Sequence, residues 1–301
     1  MILRVDWFGV YPAITTQFRS DEALDVKATV EHAKALLHAG VHGVILCGTL
    51  GEGPSMTGEE KGRLLEAVVA AVDGRVPVMT TVAETTTALA CQRAVEAAEL
   101  GADGLMVLPA LVYHSDARET VVHFRTVAQA SNLPIMVYNN PVSYGVDITP
   151  EMFADLADQS TLVAIKESSD DVRRITDLKN LTANRYRLFC GVDDLAMEAL
   201  VMGADGWVAG MVNAYPRETV ALWDAIRAGQ LDKAKRIYRW FAPLLHLDTD
   251  VKLVQYIKLA VEREGYGSSQ CRAPRLAIEG KEKRRVETVF SEADNTRPSL
   301  E

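Results

Sequence analysis

The chain has 301 residues, of which 48% are hydrophobic and 24% are charged, and these values are typical of a globular protein with a full core. The formal net charge is −9 and the basic residues are scattered, which argues against a binding surface for nucleic acid or for an anionic membrane. No run of about 18 apolar residues occurs, so the sequence predicts no membrane-spanning helix.

The first residues and the cysteines both indicate a cytoplasmic protein. The segment 1–13 carries acidic and aromatic residues where a secretory signal would need an uninterrupted apolar core. The cysteines have no paired spacing, and we expect reduced thiols at Cys47, Cys91, Cys190 and Cys271.

Short apolar runs alternate with amphipathic stretches over residues 1–225. Continuous apolar runs of this kind are typical of strands that are buried on both faces of a parallel sheet. The predicted strands are 8–15, 43–48, 76–82, 104–109, 134–139, 162–168, 187–191 and 206–212. Eight strands alternating with about eight helices predict an α/β fold, a (β/α)₈ TIM barrel.

Helix boundary signals support this alternation. Thr57 precedes Glu60 by three residues, which is the arrangement of a capping box at the start of a helix. Gly101 and Gly203 follow two other helical stretches, in the position of residues that end a helix. Asp193 and Asp194 are expected to begin a helix after the seventh strand, and Ser168 and Ser169 to cap the helix after the sixth.

Residues 226–301 have a different pattern. Segment 230–264 shows only helical periodicity, which predicts a C-terminal helical appendage beside the barrel. Segment 291–301 is polar and is expected to be frayed.

Lys166 is the most informative residue at the predicted strand ends. The carboxyl ends of barrel strands meet at one mouth, where active sites form. Lys166 lies in the apolar run LVAIKES, and a buried ammonium group loses its hydration. Three interpretations are open: an ion pair with Glu167, a side chain that extends to solvent at the strand end, or an amine with a lowered pKa that attacks a carbonyl group. Tyr138 ends the neighbouring strand and favours the third interpretation, since a phenol beside the amine can transfer protons.

A glycine-rich segment, GTLGEG, follows the second strand. We expect its backbone N–H groups at Gly48, Gly51 and Gly53, together with the Thr49 hydroxyl, to form a site for a carboxylate. It lacks the Gly-Lys-Ser/Thr ending of a phosphate-binding loop. An anion site, a tyrosine and a buried lysine at one barrel mouth fit imine chemistry on a 2-keto acid.

These motifs resemble the dihydrodipicolinate synthase/N-acetylneuraminate lyase family. The resemblance runs through GVYPAITTQF, GTLGEG, GADGLMVLP, VYNNP, AIKESS, FCGVDD and GADGWVAG, in family order. It implies that Lys166 forms the Schiff base, that Tyr138 transfers protons, and that Gly48 and Thr49 bind the substrate carboxylate. It also implies a homotetramer that needs no metal or organic cofactor.

Three departures from the family pattern disfavour 4-hydroxy-tetrahydrodipicolinate synthase activity. Leu50 replaces the second hydroxyl residue of the glycine motif. Leu111 stands where the synthases carry a tyrosine that is donated to a neighbouring subunit. Ser143 lies in a loop that lacks the arginine which holds the second carboxylate of their substrate.

The sequence looks most like a subgroup that converts 1-pyrroline-4-hydroxy-2-carboxylate to 2-oxoglutarate semialdehyde in hydroxyproline catabolism. The alternatives are a 2-keto-3-deoxy sugar acid aldolase or dehydratase, the synthase itself, and a catalytically silent ligand-binding member. Asn139 and Tyr144 are also expected to wall the pocket. The further substrate-binding candidates are Leu50, Asn140, Ser143, His114, Gly191 and Gly210. His114 is either an acid near the departing hydroxyl group or, as is more common for a single histidine on a loop, a surface residue.

Overall fold

A computed structural model describes residues 5–300 as a barrel of eight parallel strands. The strand order is β1-β8-β7-β6-β5-β4-β3-β2, and a bridge between Ala13 and Ile45 brings β1 against β2. The predicted (β/α)₈ barrel is therefore confirmed, with strands shorter than the apolar runs that predicted them. The strands are β1 Gly9–Pro12, β2 Val44–Leu46, β3 Val78–Val82, β4 Gly104–Val107, β5 Ile135–Asn139, β6 Leu162–Glu167, β7 Arg187–Cys190 and β8 Gly206–Ala209.

Helices follow every strand, and the predicted boundary signals are present. Thr57 and Glu60 form both hydrogen bonds of the capping box that begins α2. Gly101 and Gly203 follow α3 and α8 with φ of 83° and 101°, a conformation that favours glycine. The barrel helices are α1 Val26–His38, α2 Gly58–Val72, α3 Thr87–Glu99, α4 Ala117–Ala130, α5 Pro141–Tyr144, α6 Pro150–Asp155, α7 Arg173–Thr182, α8 Ala196–Val201 and α9 Pro216–Arg227.

The C-terminal appendage consists of α10 Leu231–Leu245, α11 Leu253–Arg263 and α12 Gly280–Thr296, with a 3₁₀ turn at His246–Thr249. The predicted fraying of 291–301 is wrong for the first part of that segment, because α12 buries Phe290 and Ala293 on one face. Trp240 Nε1 also donates to the Ala293 carbonyl at 2.9 Å. The division of the chain at residue 225 stays a prediction, and α9 runs two residues past it.

A buried ion pair joins the appendage to the glycine-rich segment. Lys258 Nζ lies 2.9 Å from Glu52 Oε1, and both side chains are fully buried. The ammonium group also donates to the Thr16 carbonyl at 2.8 Å and to the Gln270 carbonyl. The second oxygen of Glu52 accepts from the Arg272 N–H at 2.9 Å. The loop after β2 is thus fixed by residues from the far end of the chain.

Within residues 5–300, every helix is too short or too polar to span a bilayer.

Candidate active site

A cavity of about 420 Å³ opens at the carboxyl ends of the strands, a size suited to a small ligand. Nine of the ten predicted site residues line it: Gly48, Thr49, Leu50, Tyr138, Asn140, Ser143, Lys166, Gly191 and Gly210. The tenth, His114, is exposed on the loop after β4 and lies against Gly145, so its role stays a prediction.

Lys166 projects into this cavity beside Tyr138. The two residues are register partners on β5 and β6, and the Lys166 Nζ lies 3.8 Å from the centre of the Tyr138 ring. Only 6% of Lys166 is exposed, and the loss of hydration lowers the pKa of its ammonium group. Glu167 points to the opposite side of the strand, where it accepts from the Ser169 N–H at 2.7 Å and from Asn139. The alternative in which Glu167 pairs with Lys166 is therefore wrong.

Gly191 and Gly210 leave space in the site that a side chain at either position would fill. A Cβ atom on Gly191 would lie 2.6 Å from Lys166 Cε and 2.0 Å from Ser168 Oγ. A Cβ atom on Gly210 would lie 2.3 Å from an oxygen of Asp248. Both glycines border the cavity, as the sequence predicted, and they make room for polar side chains that point into it.

The phenol of Tyr138 is buried, and desolvation raises its pKa to about 12. Asn140 Nδ2 donates to it at 3.0 Å, while Asn140 Oδ1 accepts from the Ser143 N–H at 2.9 Å and begins α5. Asn140 therefore both shapes the loop and contacts the candidate proton-transfer residue.

The predicted capping role of Ser168 and Ser169 is wrong, because α7 begins only at Arg173 and Val172 takes the cap position. Ser168 instead lines the cavity. It is 2% exposed, and its hydroxyl has no hydrogen-bond partner among residues 5–300. A buried hydroxyl without a partner is a group that a ligand can satisfy.

Tyr144 is a residue whose contacts the sequence analysis missed. Its hydroxyl forms a short hydrogen bond with Thr49 Oγ1, and its ring meets the Tyr138 ring edge to face at 5.8 Å. Burial raises the pKa of its phenol to about 12. Leu111, which stands where the synthases carry a tyrosine, packs against the hydrophobic core. Thr49 is therefore hydrogen-bonded to Tyr144, the Tyr144 ring contacts the Tyr138 ring, and Tyr138 lies against Lys166.

The glycine-rich segment offers a narrower anion site than predicted. The Gly53 N–H donates to the Gly48 carbonyl at 3.0 Å, so it does not point into the mouth. Gly51 and Gly53 are required by packing, since a Cβ atom would lie 2.9 Å from the Ile14 oxygen and 1.9 Å from the Cys47 oxygen respectively. The Thr49 and Leu50 N–H groups make no backbone or side-chain hydrogen bond within residues 5–300, and both residues line the cavity.

Asn139 does not wall the cavity. It is fully buried, donates to Asp147 Oδ1 at 3.1 Å and accepts from the Ile148 N–H at 2.8 Å, so it fixes the chain after β5. The reason is the alternation of the strand, which turns Asn139 away from the side that Tyr138 faces.

Two aspartates lie close enough to Lys166 for their charges to oppose the lowering of its pKa. Asp193 begins the predicted helix as a 3₁₀ turn, but it is fully buried and accepts from Trp207 Nε1 at 2.8 Å and from the Met211 N–H at 2.7 Å. Burial raises the pKa of Asp193 to about 6. Asp248 comes from the appendage and lines the cavity, which the sequence analysis did not anticipate.

Comparison with known proteins agrees with this geometry. Residues 6–293 match the model of the dihydrodipicolinate synthetase family. A 4-hydroxy-tetrahydrodipicolinate synthase from Staphylococcus carnosus is 31% identical over 94% of this chain and 96% of its own length. The structure of the 4-hydroxy-tetrahydrodipicolinate synthase from Methylacidiphilum fumariolicum SolV superimposes with a TM-score of 0.92, at 25% identity and 97% coverage of both chains. A prophage protein of the same family from E. coli K12, solved in complex with pyruvate, superimposes with a TM-score of 0.91 at 26% identity, covering 96% of this chain and 99% of its own.

Proposed function

This chain belongs to the dihydrodipicolinate synthetase family of Schiff-base-forming lyases, and we propose that it deaminates and dehydrates 1-pyrroline-4-hydroxy-2-carboxylate to 2-oxoglutarate semialdehyde. The observation that carries this proposal is the charge of the cavity. Lys166 is the only cationic side chain among the described residues that line it. A substrate with a second carboxylate would find no positive partner there, whereas the pyrroline carries one carboxylate.

Binding and ring opening need three of the site's groups. The Thr49 and Leu50 N–H groups receive the substrate carboxylate. Lys166, as a neutral amine, then attacks the adjacent ring carbon, C2. The C2–N bond of the ring breaks, which leaves an amino group on C5 and an imine between Lys166 and C2.

The imine then acts as an electron sink for the remaining steps. A proton leaves C3, the 4-hydroxyl departs as water, and loss of a proton from C5 gives an enamine that tautomerises to a C5 imine. Water hydrolyses this imine to the aldehyde and ammonia, and a second water releases Lys166. We assign the proton transfers at the lysine to Tyr138, with Tyr144 and Thr49 as the path by which its phenol exchanges protons.

Product analysis tests this function. With the pyrroline as substrate, we expect ammonia and 2-oxoglutarate semialdehyde in equal amounts, measured by a coupled ammonia assay and by mass spectrometry. Pyruvate with a second aldehyde would show carbon–carbon cleavage and would support the sugar acid aldolase alternative. The names of the relatives favour the synthase, so the same preparation is assayed with pyruvate and aspartate semialdehyde. Condensation at a rate above the deamination rate would contradict the proposal.

The loop after β4 supports assembly with further copies of this chain. Val112 is 90% exposed at a φ of 76°, a strained conformation for a β-branched residue. Tyr113 on this loop and Val142 on α5 are 60% and 67% exposed, and the loop meets the end of α5 where His114 contacts Gly145. We assign this apolar surface to a contact with a second copy within a homotetramer.

Light scattering after gel filtration is expected to show a tetramer for the wild type and a smaller species for Val112→Asp. A charge at the centre of an apolar contact would lose its hydration there without a partner. Leu276→Asp is the control, because Leu276 is 78% exposed on the appendage, and this variant is expected to stay tetrameric. A monomeric wild type would contradict the assignment.

A further inference from the structure

Asp248 is a carboxyl group that the appendage places in the cavity. The 3₁₀ turn His246–Thr249 is fixed by His246 Nδ1, which lies 2.8 Å from Asp194 Oδ2, and by the buried Leu247. Gly210 has no side chain where the Asp248 carboxyl lies. No hydrogen bond among residues 5–300 involves this carboxyl group, although the side chains of His246 and Thr249 in the same turn are both hydrogen-bonded.

The surroundings of Asp248 favour its protonated form. The charged groups that influence it are Lys166 on β6 and Asp193 and Asp194 on the turn after β7. Burial and the two aspartates raise the pKa of Asp248 well above its ordinary value, and Lys166 opposes that rise. Burial likewise lowers the pKa of the Lys166 ammonium group, so desolvation favours the uncharged form of both groups.

The protonation state of such a group decides what happens at C4 of a lysine-bound 4-hydroxy-2-keto acid. A carboxylate would take the hydroxyl proton, and the C3–C4 bond would break as in an aldolase. A carboxylic acid would instead give its proton to the hydroxyl oxygen, and the C–O bond would break as in a dehydratase. The two outcomes need the same lysine and tyrosine, and the carboxyl group separates them.

We propose that Asp248 is the general acid that protonates the departing 4-hydroxyl group, an inference that rests on the proposed function. After a proton has left C3, the C2–C3 enamine supplies the electron pair that forms the C3–C4 double bond. The C4–O bond breaks, the oxygen takes the proton of Asp248, and water leaves. The Asp248 carboxylate is then placed to take the proton that leaves C5, which restores the acid. The substrate class is a 4-hydroxy-2-keto acid or its cyclic imine.

The experiment compares two leaving groups in Asp248→Asn. With 1-pyrroline-4-hydroxy-2-carboxylate, kcat is expected to fall by about 10²–10⁴-fold, the usual contribution of general acid catalysis. With the 4-chloro analogue, chloride leaves without a proton, so kcat is expected to stay within about tenfold of the wild type. Borohydride trapping of pyruvate on Lys166 is expected to be unchanged, which shows that the variant is folded and forms the imine.

Asp232→Asn is the matched control, because Asp232 lies on the same appendage but outside the cavity. Its side chain is 93% exposed on α10, 3.9 Å from Lys235, and this variant is expected to keep the wild-type rate on both substrates. Equal losses of Asp248→Asn on both substrates would overturn the acid role, and so would full activity on the hydroxyl substrate. A wild type that releases no ammonia from the pyrroline would overturn the proposed function instead, and with it the role of Asp248.

Discussion

Replacing Lys166 with alanine is expected to abolish both covalent labelling and turnover. Removal of the covalent nucleophile of an enzyme typically lowers kcat by a factor on the order of 10⁶. No other described residue that lines the cavity carries an amine, so no second lysine there can form the imine in its place. The variant should fold, because the change removes an ammonium group from a site that disfavours its charge.

The measurement is mass spectrometry after incubation with pyruvate and borohydride, together with the ammonia assay. The wild type should gain the mass of reduced pyruvate on the peptide that contains Lys166. Lys34→Ala is the control, since Lys34 is a partly exposed residue of α1 that pairs with Glu31, and this variant should label and turn over as the wild type does. A label on a different lysine would show that the nucleophile has been misassigned.

The buried Lys258–Glu52 pair predicts the largest effect on stability. Lys258→Met keeps most of the side-chain volume but removes the nearer cation of the buried Glu52 carboxylate, which keeps only Arg275 Nη1, at 3.8 Å. Breaking a buried ion pair by removing one partner typically costs about 3–5 kcal/mol. We expect the free energy of unfolding to fall by this amount, measured by urea denaturation followed by circular dichroism.

Two further variants isolate the cause. Lys34→Met breaks an exposed ion pair and should change stability by about 1 kcal/mol or less. Glu52→Gln combined with Lys258→Met also removes the buried carboxylate charge and should recover part of the loss. If Lys258→Met were no more destabilising than Lys34→Met, the pair would not hold the glycine-rich segment.

The barrel and the centre of the site could be predicted because both follow from local patterns. Apolar runs that alternate with capped helices predict a barrel in which consecutive strands are neighbours. The carboxyl ends of those strands then lie close together. Lys166 and Tyr138 end neighbouring strands, so their contact follows once the strands are located. Gly191 and Gly210 follow in the same way, as the first residues beyond their strands.

The remaining features depend on packing that no local pattern encodes. Asp248 lies in an amphipathic stretch, where a charged residue most often faces solvent. Whether it enters the cavity depends on how the turn after α10 docks. Tyr144 meets Thr49 across 95 residues, and only the folded loop shows that contact. Ser168 resembled a cap because serine commonly begins helices, but α7 starts five residues later than Ser168.

The ion pair between Glu52 and Lys258 also bears on how the protein is made. The two residues are 206 positions apart, and a ribosome adds about 5–20 residues per second, so some ~10–40 s separate their synthesis. During that interval the strands around Glu52 have emerged, while the cation that neutralises it has not. The glycine-rich segment, to which we assign the substrate carboxylate, is therefore among the last parts of the nascent chain to reach its final conformation. A chain interrupted before residue 258 would hold most of a barrel and an unfinished substrate site.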